Sequence, residues 1–400
     1  MDELYNYLEN IWNNVLKIQN EKDINIKFNP EHLESNVKSD WEKLEFYSKD
    51  SIFQVLEHFH EKEWEGKKIR LSLYSISNKK ILKTSEIKII FWYEKNKIPS
   101  VFPIISIWEI IQWLHLQRNF PKDWSIQFVL SDEKKEIEMD KCVIKNECLH
   151  SKHINSGVTF NLRDIVIWRK EEAWKVLLHE CCHILKLDEY LLYSEENIFH
   201  WYKKFPLKPI EMFLPSEGIV EVAGGLLSSF FLFPTFSKKD DLQIANINMW
   251  KQRINVERNY TSFQLMNILS LYPTAFDYFF NIFERLDVVQ PHNSEAVENK
   301  NKEIVEFDRI LTYSSFFGYY IIRSCIYFHF EEWFPFFLQF FKKKLKKEQK
   351  WLKLLNKNLE DPMWYEYLKT IHEFQKKEKK NNKEKKSKMS TKMTLIPSDF

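Results

Sequence analysis

Glycine is nearly missing from this chain, with six in 400 residues. Lysine, asparagine, isoleucine and phenylalanine fill its place, the bias of an AT-rich coding sequence. Cysteine is sparse too. Cys142, Cys148, Cys181, Cys182 and Cys325 make an odd set without regular spacing, which argues against a disulfide-stapled fold and for a reducing compartment. Neither charge sign dominates: a formal net charge of +2 argues against a nucleic-acid surface spread over the whole chain. Only the lysine-rich end, QKKEKKNNKEKKSK, remains as a patch for nucleic acid or acidic partners. Long apolar runs are absent as well. The two most apolar stretches, 218–236 and 321–341, are interrupted by Glu221 and by Glu331 with Glu332, so they read as buried helices rather than membrane spans. The opening MDELYNYLENIWNNVLKI has acidic residues where a secretory signal is basic, so an intracellular product that is not secreted is expected.

What is present is a change of hydrophobic period along the chain. Leu4, Leu8, Ile11, Trp12 and Val15 share one helical face, and a second helix is expected over 51–64. IRLSLYSI (69–76) and EIKIIFWY (86–93) read as strands, a helix spans 104–117, and SIQFVL (125–130) is another strand. HINSGVTF (153–160) and DIVIW (164–168) complete a sheet, and the helical stretch EEAWKVLLHECCHILKLD (171–188) follows directly. An apolar helix opens at Pro215 with Ser216 as its expected N-cap, and the rest to about 344 is helical and aromatic. One more helix is expected over 351–375, then a disordered tail. The organisation expected is an N-terminal helical region (1–66), a sheet-containing lobe (67–168), a helical lobe (169–345), a C-terminal helix (346–375) and a lysine-rich tail (376–400).

The stretch that carries chemistry is His179-Glu180-Cys181-Cys182-His183, an HExxH pattern. At helical spacing the two histidines face the same way and can share one Zn2+, and Glu180 is positioned as general base toward a metal-activated water. Apolar neighbours on both sides bury this helix, and buried histidines need partners that a metal ion supplies. Cys181 and Cys182 read as small core residues rather than nucleophiles. His58 and His60 read as ordinary histidines, and Cys142, Cys148, His150 and His153 match no established finger spacing.

A third ligand is needed, and Glu217 in SEGIVE is preferred. This segment resembles the NEGxAE pattern of the glutamate-ligand branch of the zincin metallopeptidases, the gluzincins, and lies 34 residues after His183. Glu221, four residues on, shares its face as a supporting carboxylate or spare ligand. Both glutamates also fit a simpler reading, as the acidic first turn of a helix complementing its dipole. The metzincin continuation does not fit, since Lys186 stands at its glycine position. Asp188 either orients one histidine or marks the helix end.

Taken together, HINSGVTF, IVIWRKEEAWKVLLHECCHILKLD, SEGIVE and FFGYYIIRS resemble predicted metallopeptidase-like proteins of nucleocytoplasmic large DNA viruses, over about 154–323. The resemblance implies an α+β, zincin-like fold: a small mixed sheet, an HExxH helix and a mostly helical C-terminal lobe. It further implies that Asn155, Ser156 and Gly157 begin an edge strand for an extended peptide, with Gly157 allowing close approach; an ordinary hairpin strand is the alternative. Tyr319 or Tyr320, with Tyr313 behind, is the oxyanion donor such proteins take from their C-terminal helices. The expected function is a zinc metallopeptidase acting on a peptide or protein, in the host cytoplasm or a virion. The alternative is a catalytically silent virion or scaffold protein whose partners are other virion proteins and whose zinc is structural.

Overall fold

The structure is a computed structural model that describes residues 1–22, 31–33, 64–94, 102–117, 124–129, 134–138, 155–160, 162–191, 215–234, 242–271, 317–344, 350–381 and 388–390, with a few short stretches between them. It is a mixed α+β fold built on a six-stranded sheet. Helix α1 (Asp2–Glu21) buries the stripe Leu4, Leu8, Ile11, Trp12, Val15 and Ile18. A short strand β1 (Glu31–Leu33) pairs with β2 (Trp64–Ser77), and β2 pairs with β3 (Lys80–Glu94). Asn78 and Lys79 both take positive φ at the β2–β3 turn, which suits the twist of a tight hairpin. Helix α2 (Ile104–Gln117) then carries the chain to β4 (Trp124–Val129), which runs parallel to β3 as a crossover permits. After β5 (Glu136–Glu138) come β6 (Gly157–Phe160) and β7 (Asp164–Ile167). The sheet order is β1-β2-β3-β4-β7-β6, with β7 parallel to β4 and β6 antiparallel at the edge.

From β7 the chain enters α3 (Ala173–Ile184), which holds the HExxH residues beneath β6. Helix α4 (Pro215–Phe230) crosses α3 so closely that a Cβ on Gly224 would sit 3.0 Å from His179 Cα. The short strands β8 (Phe231–Leu232) and β9 (Gln243–Ile244) lead to α5 (Ile247–Leu269), capped by Asn246. A π-helical turn, Phe317–Ile322, runs into α6 (Arg323–Phe328), followed by α7 (Phe330–Phe341), α8 (Lys350–Leu359), α9 (Pro362–Asn381) and β10 (Lys388–Ser390). One connected cluster of buried apolar side chains extends from Leu4 to Leu368, so the described helices share a core with the sheet. No helix among the described residues is long and apolar enough to cross a membrane.

Several expectations need correction. The tail is ordered in part: α9 runs to Asn381, and Lys388–Ser390 pairs antiparallel with β5, with Met389 packed against the core. The helix expected over 351–375 is two helices, because Pro362 has no N–H to continue the first and Asp361 accepts from the Met363 N–H to start the second. Ser216 lies inside the first turn of α4 rather than at its cap. The N-terminal region is not helical throughout, since β1 falls within it and Trp64 opens β2. Residues 51–63 of the helix expected over 51–64 lie outside the described residues, as do His58, His60, Cys142, Cys148, His150, His153 and Tyr313.

Candidate metal centre

The α3 helix starts at a strained junction. Glu172 precedes it in the left-handed conformation, φ 60, and its buried carboxylate lies 2.9 Å from Lys135 Nζ. Arg169, just upstream, donates to the Asn155 carbonyl (2.9 Å), and the Trp168 N–H donates to the Ser156 carbonyl. Glu171 accepts from the Lys135 backbone N–H at 2.6 Å. The charged run before the motif thus braces the entry to β6 against the start of α3.

His179 and His183, four residues apart on α3, bring their Nε2 atoms to 3.2 Å. Glu217 Oε2, from the first turn of α4, lies 3.6 Å from His179 Nε2 and 3.7 Å from His183 Nε2. The nearest point equidistant from these three atoms lies in their plane, about 2.0 Å from each, the length of a Zn–N or Zn–O bond. His179, His183 and Glu217 form the metal-capable group found among the described residues. Each histidine has a carboxylate at its other nitrogen: Asp188 Oδ2 is 2.6 Å from His183 Nδ1, and Glu221 Oε2 is 2.9 Å from His179 Nδ1. Asp188 in this position sets the tautomer that leaves His183 Nε2 free to ligate, while Glu221 lies close to His179 Nδ1 without hydrogen-bond alignment.

The surroundings of the triad are acidic. Asp188 and Glu221 lie against the two histidines and Glu180 stands next to His179, while Lys175 and Arg323 pair with Glu221 from the far side. Burial opposes protonation of His183, yet Glu217, Asp188 and Glu180 outweigh it and raise its pKa to about 10. His179 is raised in the same sense, against its burial, by Glu217 and Glu221. Glu217, despite its burial, is pushed down to about 2 by the two histidines. The carboxylates therefore favour positive charge here, and the two histidine Nε2 atoms face each other across 3.2 Å, where two imidazolium N–H groups would repel.

Glu180 lies beside the triad under β6, where its Oε2 accepts from Thr159 Oγ1 at 2.7 Å. A cavity of about 20 Å³, enough for a water molecule, is lined by His179, Glu180, Tyr319, Asn155, Ser156 and Gly157, among others. The Asn155 side-chain oxygen is buried there without a hydrogen-bond partner among the described residues. Tyr319 hangs from the π-helical turn, its ring centroid 6.0 Å from that of His179, and its hydroxyl donates to Glu217 Oε2 at 3.2 Å. Burial, reinforced by Glu217, Glu180 and Glu221, pushes the Tyr319 phenol well above its usual pKa, so it stays a donor.

Of the residues singled out from sequence, His179, Glu180, His183, Glu217, Asp188, Glu221, Tyr319 and 155–157 converge on this centre. Tyr320 does not. It is buried on the other side of its helix, near Glu172, Tyr260 and Arg323. Gly157 serves the fold rather than a ligand: a Cβ there would meet Val176 Cγ1 at 2.5 Å and Glu180 Oε1 at 3.0 Å, so it lets β6 lie on α3. Sequence reasoning missed Thr159, Lys175, Arg323 and Glu257. The available signal was a charge inside an apolar helix: Lys175 stands one turn before His179, and Arg323 sits within IIRSCIYF. Comparison with protein-family models, curated proteins and solved structures finds no match.

Proposed function

We propose that this chain is a zinc-dependent peptidase of the zincin kind, with His179, His183 and Glu217 as ligands and Glu180 as general base. The observation that carries this reading is the common point about 2.0 Å from three donor atoms, with Glu180 next to His179 on the same helix. Zn2+ held there would act as a Lewis acid, lowering the pKa of water and polarising a carbonyl. Glu180, steadied by Thr159, accepts the proton as water attacks and delivers it to the leaving amine. The outer side of β6 offers backbone groups to an extended peptide, and Asn155 offers an acceptor to the same chain. Tyr319, rather than Tyr320, is the donor that meets the developing oxyanion. The gluzincin-like fold, the viral origin and a place in the cytoplasm or virion belong to the same proposal.

The narrowness of the cavity favours a second reading, a silent zincin-fold scaffold with a structural metal. One experiment separates the two. Metal content is measured for wild type and Glu217→Ala, and cleavage of a peptide library for wild type and Glu180→Gln. One zinc per chain, weakened in the first variant, with cleavage lost in the second, supports the peptidase. Zinc without cleavage supports the scaffold, and no metal defeats both.

A further inference from the structure

Lys175 has no role in the chemistry above, yet its side chain is only 2% exposed and its ammonium pairs with Glu221 Oε1, equally buried. A buried ion pair of this kind does not out-stabilise a well-packed apolar pair, so stability alone does not account for it. Its placement offers another account. Lys175 and His179 are one turn apart on α3, and Glu221 and Glu217 are one turn apart on α4. The Lys175–Glu221 pair therefore joins the two helices one turn along from the His179–Glu217 pair. Glu221 also joins the two levels, since its second oxygen lies 2.9 Å from His179 Nδ1. Arg323 approaches the same Glu221 oxygen that Lys175 holds, at 3.7 Å, while its own partner is Glu257 at 2.7 Å. Lys175 is thus the cation in direct contact with Glu221, and Arg323 backs it at longer range.

We propose that Lys175 is a positioning residue for the metal centre: it fixes Glu221 against His179 Nδ1 and sets the register between the two helices that carry the ligands. This inference rests on the metal-site reading. Without Lys175 the Glu221 carboxylate turns toward Arg323, the His179 ring loses its support, and the three donor atoms no longer share one point at bonding distance.

The test uses the full chain and Zn2+ alone, in competition with a chromophoric chelator. Lys175→Met is expected to weaken zinc binding by about ten- to a hundredfold, the range for loss of a group that orients a ligand. Lys175→Arg should recover most of that loss. Glu221→Gln should weaken binding similarly, and the Lys175→Met/Glu221→Gln double variant should bind no worse than the weaker single variant, because both act through one contact. Co2+ loaded in place of zinc should show altered visible bands in Lys175→Met but not in Lys175→Arg, a change that a purely structural role would not produce. Lys175→Gln is measured in parallel, and the same criteria apply to it if Lys175→Met does not fold. Zinc affinity within about twofold of wild type, or losses that add fully in the double variant, overturns the role of Lys175. A wild type that binds no zinc overturns the metal site itself and this inference with it.

Discussion

Replacing Gly157 by alanine places one methyl group where the chain has no room for it. The new Cβ would lie 2.5 Å from Val176 Cγ1 and 3.0 Å from Glu180 Oε1, the first well inside van der Waals contact. Val176 is buried on α3 and Gly157 is in β6, so relief requires the strand and helix to separate. Overpacking of this kind costs about 1–3 kcal/mol. The separation also stretches the Thr159–Glu180 hydrogen bond, which spans the same interface. Urea unfolding of the metal-free protein is the assay, read as a lower midpoint at unchanged slope. Val176→Ala removes the methyl that is struck. Alone it destabilises by about 1–2 kcal/mol from lost burial, at roughly 0.8 kcal/mol per buried carbon. Combined with Gly157→Ala it should restore part of the loss, with a coupling of about 0.5–3 kcal/mol. A Gly157→Ala protein as stable as wild type, or a double variant whose losses simply add, would refute the claim that this glycine exists for helix approach.

The metal-free protein should also be sensitive to pH in a defined sense. The raised pKa of His183 contributes stability that is complete below about 6.5 and lost as pH rises toward about 10, so the urea midpoint without metal should fall from pH 6.5 to 9.5. Zinc affinity should rise over the same window, because ligation requires neutral imidazole. The depressed pKa of Glu217 acts at the other end, with stability present above about 4.5 and lost as pH falls toward about 2. Tyr319→Phe should lower kcat by about a hundredfold, as loss of an oxyanion donor does, whereas Tyr320→Phe should leave kcat unchanged. Steady-state kinetics on any peptide that wild type cleaves checks both, and equal losses in the two variants would contradict the assignment.

Much of this arrangement is legible in the residue order. Alternating and continuous apolar runs mark β2, β3, β4 and β7, because residues facing a core repeat at the period of a strand. The HExxH spacing and the 34 residues to Glu217 are equally local, since each depends on one helix and its first turn. Contacts between elements are harder to read. Thr159 and Glu180 are 21 positions apart, and Lys175 and Glu221 are 46 apart, so neither pair leaves a periodic trace. The Tyr319–Tyr320 pair shows the limit most directly. Successive helical residues point about 100° apart, so only one of the two can face His179 and Glu217, and the π-helical turn that decides which has no apolar signature of its own. The lysine-rich end reads as disordered because charge dominates its composition, while the contact that orders 388–390 is made by one methionine and a distant strand.

The brevity of β6 limits what the outer rim of the sheet can grasp. It has four residues, and every second one turns its N–H and C=O toward β7, so about two residues present free backbone groups outward. A chain lying along that rim is held over roughly three residues, whatever its side chains. Such a short handhold is a poor template for edge-to-edge aggregation between copies of the protein. It would also make backbone pairing a weak, sequence-blind tether, so discrimination among any chains bound there would have to come from side-chain fit beside it, at the walls formed by Asn155, Val176 and Tyr319.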